Sequence, residues 1–324
     1  MTETTATAPG KIILCGEYAV LSGAPAVVMA VDRRASVRIV HHSEDWCAVE
    51  TPGLADGLRR FDIKRGGNIR WLDESAAVGL PVLETVIEQT AFAPSAPVHI
   101  TIDTCALFDR ESGQKLGLGS SAAATAALTR AMCGPGADRV DVWNRARRAH
   151  AAMQGGSGVD IAASCFGGLL CFQQDSDTPP ARLEWPASLA CQVFFSGVPA
   201  STRNAISSAG TPDASWDALT TAAADAASAW QVGDPAGILA SLYNYCRQLR
   251  DFDQMMATQI FSAGHAELCA EGEKLDVVYK PSGAGGGDCG IALATDVAQL
   301  AAFARVAAAH GFVPLDIGRD NSGL

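Results

Sequence analysis

The chain has 324 residues, enough for one large domain or two ordinary ones, and its 48% hydrophobic and 18% charged content is that of a folded globular protein. A formal net charge of −11 argues against a nucleic-acid surface, which relies on excess Lys and Arg. Any small-anion site must therefore draw on local cations, so each Lys or Arg inside a candidate site carries information.

The ten cysteines are scattered and form no CxxC pair, and Cys165 and Cys171, six apart, match no zinc pattern. They fit reduced core residues of a cytoplasmic protein. "MTETTATAPGK" lacks the charged start and apolar stretch of a signal peptide, and no uninterrupted apolar run reaches about 18 residues. The expectation is a cytoplasmic protein, monomer or homodimer, that binds neither membrane nor nucleic acid.

In chain order, the short apolar runs of residues 11–31, the partial alternation of 35–42 and "APVHITID" at 96–103 predict strands. "SSAAATAALTRAM" (120–132) predicts an Ala-rich helix with a serine N-cap signal. Residues 140–153 read as an amphipathic helix, 158–168 as a short helix closed by glycines, and 169–173 as a strand. The polar, proline-bearing stretch 174–187 is the best domain boundary. Beyond it come a strand (189–198), a mostly helical region (204–270), strands at 275–279 and 290–294, a helix at 297–309 and a strand at 312–316. Helices packed to one side of mostly antiparallel strands give an α+β class in each half.

Three glycine-bearing stretches carry candidate chemistry. In "GLGSSAAATAAL" (117–128), Gly117 and Gly119 admit a ligand to the backbone ahead of a helix start, where N–H groups and the helix dipole favour phosphate. GxGxxA also fits a dinucleotide fingerprint, but the preceding "DRESGQK" is too polar for the strand that reading needs. No Walker A sequence occurs. In "APGKIILCGEYAVLSGAPAV" (8–27), Lys11 enters an apolar strand, and Glu17 sits where a carboxylate wants a partner. In "GGSGVDIAASCFGG" (155–168), Asp160 opens a helix either as an ordinary capping aspartate or as a group that orients or deprotonates a nucleophile. "KPSGAGGGDCGIAL" (280–293) reads as a tight turn, a linker, or a loop that admits a charged ligand; regular structure on both flanks disfavours the linker.

Together "PGKIILCGEYAVLSG", "KLGLGSSAA" and "KPSGAGGGDCGIAL" resemble, in order and rough spacing, the three signature motifs of the GHMP kinase superfamily. Within it, residues 111–123, 149–164, 197–206 and 280–293 look most like the bacterial phosphomevalonate kinases, with mevalonate kinases as runner-up. The resemblance implies a two-domain fold: an ATP-binding domain like ribosomal protein S5 domain 2 over residues 1–180 and a ferredoxin-like domain over 181–324. It implies an ATP- and Mg²⁺-dependent phosphotransferase that converts 5-phosphomevalonate to 5-diphosphomevalonate. Lys115, Gly117, Leu118, Gly119, Ser120, Ser121 and Ala122 would hold ATP, with Ser121 and Glu17 near the metal. Lys11 and Asp160 would be the catalytic pair, the lysine lowering the aspartate's pKa. The acceptor would meet Lys11, Glu17, Tyr18, His150, Gln154, Ser157, Gly158 and Asp160 from the first half. From the second half it would meet Ser201, Thr202 and Arg203, and the turn of Ser282, Gly283, Ala284, Gly285 and Gly286. One departure stands out: residues 145–156 carry no carboxylate, where some superfamily members place a Mg²⁺-binding glutamate.

Overall fold

A computed structural model describes residues 3–64, 67–73, 80–174, 176, 178–200 and 210–324. Ser201, Thr202 and Arg203 lie outside the described residues.

Two long antiparallel strands organise the first half, β1 (Glu3–Cys15) and β2 (Ala26–His41). Their apolar runs are continuous because both faces are covered. Ile12, Leu14, Val27, Met29 and Val31 enter one hydrophobic core, while Ile13, Ala26, Val28 and Ala30 enter the other. A strand with side chains alternating into two cores reads as an unbroken hydrophobic stretch. The two segments expected at 26–31 and 35–42 are thus one strand, running through the polar Asp32, Arg33 and Arg34.

Around β2 the chain builds a sheet with β3 (Cys47–Thr51), β4 (Ala55–Ile63), β5 (Ile69–Trp71), β6 (Val98–Asp103), β7 (Leu169–Phe172) and β8 (Ala181–Leu183). The order is β5-β4-β3-β6-β2-β7-β8, with β1 also on β2 and only β3 against β6 parallel among these pairings. Helices α1 (Pro81–Thr90), α2 (Ser120–Cys133), α3 (Arg139–Gln154) and α4 (Val159–Phe166) enclose the second core against this sheet. Helix α2 is buried on nearly every side, and its alanines let neighbours approach closely. Thr125 and Thr129 turn their hydroxyls back onto the carbonyls of Ser121 and Thr125, at 2.8 and 2.7 Å.

The second sheet runs β10-β11-β9-β12, all antiparallel, from β9 (Ala190–Phe195), β10 (Val278–Pro281), β11 (Cys289–Ala294) and β12 (Val313–Leu315). Its helices are α5 (Asp217–Val232), α6 (Pro235–Met256), α7 (His265–Lys274) and α8 (Val297–Ala309). The change from one sheet to the other falls between Leu183 and Ala190. Residues after β12 then return to the first sheet: Gly168 N donates to Asp320 O (2.6 Å), Asp320 N to Ala30 O (3.0 Å), and Arg34 pairs with the Asp320 carboxylate. Among the described residues no helix is long and apolar enough to cross a membrane.

Candidate active site

The site starts at Gly10, where the β1–β2 register shifts. A Cβ there would stand 2.5 Å from the Leu118 carbonyl oxygen and 2.7 Å from Leu107 Cδ2, so the strand touches the 115–119 loop only because residue 10 has no side chain. The next residue completes the junction. Lys11 N donates to Leu118 O at 2.8 Å and its Nζ to Gly117 O at 3.1 Å, with 9% of the residue exposed. Burial of the stem against this loop fixes the ammonium at the lip of α2.

Helix α2 opens without a side-chain cap. Its N-cap is Gly119 at φ 78°, and Ser120, expected to cap, is instead the first helical residue and is buried. Helix α4 opens the same way, on Gly158 at φ 82°. By contrast α3, α6 and α8 carry aspartate caps, Asp138, Asp234 and Asp296. At α2 the first-turn N–H groups are left for an outside acceptor, which suits an anion, whereas at α4 Val159 N donates to Ser157 Oγ and Ile161 N to Asp160 Oδ1.

Helix α3 brings His150 and Gln154 to the same cleft, one turn apart as their spacing predicts. Gln154 Nε2 donates to Ser121 Oγ, leaving the Ser121 proton free for a ligand. His150 is buried, and its Nε2 lies 3.9 Å from Asp160 Oδ2 with no hydrogen-bond partner. Asp160 does not cap α4; it sits in the first turn, with Oδ1 accepting from Ile161 N at 2.9 Å. Lys11 and Asp160 line one cleft, but the expected ion pair is absent: among the described residues no carboxylate comes within 4.0 Å of Lys11 Nζ, which faces Gly117 instead.

The third glycine turn closes the cleft from the other half. Tyr18 OH donates to Ala284 O at 2.6 Å, with Tyr18 at a sparsely populated φ 60°, ψ −53°. Glu17 is 3% exposed and forms an ion pair with the fully buried Lys280. Its other contacts are Tyr245 OH to Oε2 at 3.0 Å and Gly283 N to Oε1 at 3.3 Å. Both oxygens thus help to hold the turn, while Glu17 also lines the cleft. Ser282 lines the cleft as well, and its hydroxyl donates to Ile13 O and accepts from Ile13 N, each at 2.9 Å, so it splices the turn to β1.

Each glycine of the cluster meets a different neighbour. A Cβ on Gly283 would lie 3.4 Å from Lys11 Nζ, one on Gly285 2.6 Å from Ile260 O, and one on Gly287 would collide with Val198 O. Gly283 and Ala284 face the cleft; Gly285 and Gly286 pack on the Ile260 loop, with Gly286 N donating to Ile260 O at 2.9 Å, and do not line it. Leu118 is core, and Gly158 lies beside Arg147 rather than in the cleft. Lys115, Gly117, Gly119, Ser121, Ala122 and Ser157 join the lining.

Asp288 is the residue sequence reasoning missed. It lies at φ 52° directly after three glycines, and a Cβ on Gly117 would collide with it. Its Oδ1 accepts from Ala200 N at 2.9 Å. Burial pushes its carboxyl above the ordinary range, against the Ala200 N–H and the nearby Lys11 and Lys115. The one available signal was an aspartate at the end of a run that otherwise holds only small residues. Lys280 was missed too, although an unpartnered Glu17 called for a cation.

For a metal ion, no cluster of three or more His, Cys, Asp and Glu exists among the described residues. The donors facing the cleft are Ser121 Oγ and the carboxylates of Asp160 and Asp288, a set that suits a Mg²⁺ arriving with phosphate oxygens and waters, not one caged by protein.

Residues 81–168 match the GHMP kinases N terminal domain family. The chain is 29% identical to a phosphomevalonate kinase of Streptomyces sp. (strain CL190), over 88% of each chain. It is 29% identical to a mevalonate kinase of Methanothermobacter thermautotrophicus, over 52% of this chain and 50% of that one. A crystal structure of Streptococcus pneumoniae phosphomevalonate kinase with phosphomevalonate and AMPPNP shares the fold at a TM-score of 0.79, with 18% identity over 98% of this chain and 100% of that one. With its glycine-capped α2, its cleft lysine and its third glycine turn, the chain carries a GHMP kinases N terminal domain match over residues 81–168 and shares the fold of kinases of that family.

Proposed function

We propose that this protein transfers the γ-phosphoryl group of ATP to 5-phosphomevalonate, releasing ADP and 5-diphosphomevalonate, with residues 1–180 and 181–324 as its two domains. The observation that carries the reading is the meeting of three distant glycine-bearing segments, with Lys11 and Asp160, on one cleft. The likeness to a phosphomevalonate kinase, 29% identical over 88% of both chains, supports this acceptor over mevalonate by a narrow margin, since a Bos taurus mevalonate kinase is 27% identical over 89% of this chain.

In this reading the uncapped start of α2 and the Gly117–Ser121 backbone receive the triphosphate, with Lys115 beside it. Lys11 offsets charge that builds on the moving phosphoryl group, a contribution that grows in a cleft shielded from water. Mg²⁺, bound through ATP oxygens, water and Ser121, would neutralise phosphate charge. A phosphate acceptor is already ionised at neutral pH, so Asp160 works by orienting it, its own carboxylate held by Ile161 N. Ser157 at the α4 start adds a hydroxyl, and the positive end of the α4 dipole favours an anionic acceptor.

A coupled ADP-release assay across phosphomevalonate, mevalonate, homoserine and galactose tests this. Turnover dependent on phosphomevalonate and Mg²⁺ is expected. Equal efficiency with mevalonate would move the acceptor assignment to mevalonate, and no turnover with any acceptor would overturn the kinase reading.

A further inference from the structure

We propose that Cys246 and Cys269 form a dithiol that hydroperoxides oxidise to a disulfide, apart from the catalytic cleft. Both residues cover the outer edge of the second sheet, where β10 has no strand beyond it. An edge strand leaves backbone groups unpaired, and here thiols from α6 and α7 meet them. Cys246 Sγ donates to Tyr279 O at 3.5 Å and Cys269 Sγ to the same oxygen at 3.3 Å. Sharing one acceptor brings the sulfurs to 4.0 Å of each other.

Two further features make this pair different from the other core cysteines. Cys246 and Cys269 line a narrow cleft together with Arg247, Arg250 and Glu273, although the two residues are only 6% and 4% exposed. Arg250, whose guanidinium lies over the Phe261 ring at 5.5 Å, stands beside Cys269. The neighbouring Cys246 sulfur and Arg250 draw the Cys269 thiol downward, while the Cys269 sulfur and burial push the Cys246 thiol well above the ordinary range, so the two sulfurs differ in readiness to ionise. By contrast, burial drives Cys165 and Cys289 far upward. A thiol drawn toward ionisation beside an arginine, with a second sulfur 4.0 Å away, is a setting in which cysteine is oxidised.

The reaction balances without a further reactant. The Cys269 thiolate attacks the outer oxygen of ROOH; the O–O bond breaks, leaving Cys269 as a sulfenic acid and releasing ROH after proton uptake. Cys246 sulfur then attacks the sulfenic sulfur and water leaves. Two thiols and one hydroperoxide thus give one disulfide, one alcohol and one water, the sulfurs closing by about 2 Å to bond.

Oxidation removes both S–H donors from Tyr279 O. Tyr279 precedes Lys280, the partner of Glu17, and Cys246 follows Tyr245, whose hydroxyl holds Glu17. The turn at Gly283 therefore lies one ion pair from the dithiol.

The test treats the full-length protein with hydrogen peroxide, blocks remaining thiols with iodoacetamide after denaturation, and maps peptides by mass spectrometry. Exposed Cys105 serves as the internal standard. The expected result is a Cys246–Cys269 linked peptide, lighter by two hydrogens and lost on dithiothreitol treatment. Ligand-induced thermal shift with ATP should fall with oxidation and return with dithiothreitol, and this response should be missing in Cys246→Ser and in Cys269→Ala. Both thiols alkylated while Cys105 is oxidised, or Cys269 carried to sulfinic acid with no linked peptide, would overturn the proposal. The mapping needs no variant to fold and no acceptor to be known.

Discussion

Lys280→Met is the substitution whose cost the structure sets most directly. Lys280 is fully buried and its ammonium meets Glu17, itself 3% exposed, along with Pro281 O at 2.7 Å. Removing the cation leaves a buried carboxylate with only the Tyr245 hydroxyl and the Gly283 N–H. Breaking a buried pair from one side costs roughly 3–5 kcal/mol, because one charge stays desolvated. Over 324 residues that corresponds to a fall of about 6 °C in melting temperature. Urea unfolding read by tryptophan fluorescence, with a thermal melt alongside, measures it. The double variant Glu17→Leu/Lys280→Met removes both charges and should regain at least half of the loss. If Lys280→Met costs under about 1 kcal/mol, or the double variant is no better than the single one, the ion pair does not hold the glycine turn as argued.

Asp160→Asn and Lys11→Met should each lower turnover by roughly a hundred-fold or more in the ADP assay while leaving the melting temperature nearly unchanged. Gly117→Ala should weaken ATP-induced thermal stabilisation more than Gly119→Ala does. Both glycines hold left-handed φ, but the new methyl at 117 meets Asp288, whereas at 119 it meets the flexible Lys11 stem at 3.0 Å. Equal loss in the two would sink the Asp288 contact. Stability should also fall on acidification through His265. Burial lowers that ring from the ordinary 6.5 to about 4, so the unfolded chain binds a proton that the native ring refuses. Its contribution is complete above pH 6.5 and is lost as pH falls toward 4, by about 2 kcal/mol at pH 5. Urea midpoints at pH 7 and pH 5, compared between wild type and His265→Gln, would show parallel falls if this is wrong.

Legibility in the sequence followed burial. The end of β1 from Lys11, strand β2 and helix α2 announced themselves because each buries apolar or alanine stretches, and α3 by its amphipathic spacing, whereas residues 3–10 of β1 drew no expectation. Strands β3 to β5 and helix α1 drew no expectation: they are short, and β4 reads "ADGLRRFDI", with charges interrupting any alternation. The same limit applied in the cleft. Lys11, Ser121 and Asp160 were visible because each stands next to a glycine motif, and the structure gathers them. The fates of Glu17 and Ser282 were invisible, because their partners, Lys280 and Ile13, lie 263 and 269 residues away in sequence. The purpose of the last glycine cluster was half legible. Close approach was foreseen, but only coordinates show that Lys11, Ile260 and Val198 each press against a different member.

The return of residues after β12 to the first sheet gives the two sheets a pair of covalent crossings, at 184–189 and again near Asp316. Arg34 fastens the second crossing by pairing with Asp320 and donating to Gly323 O at 2.6 Å, and Arg182 adds a bond to Asn321 O at 2.7 Å. A body joined to its neighbour at a single point can swivel freely. One joined at two points and also sharing a core, as Ile12, Leu14 and Val27 do with Phe194, Trp216 and Leu249, has few ways left to shift, so the crossings help to fix the walls of the cleft against each other.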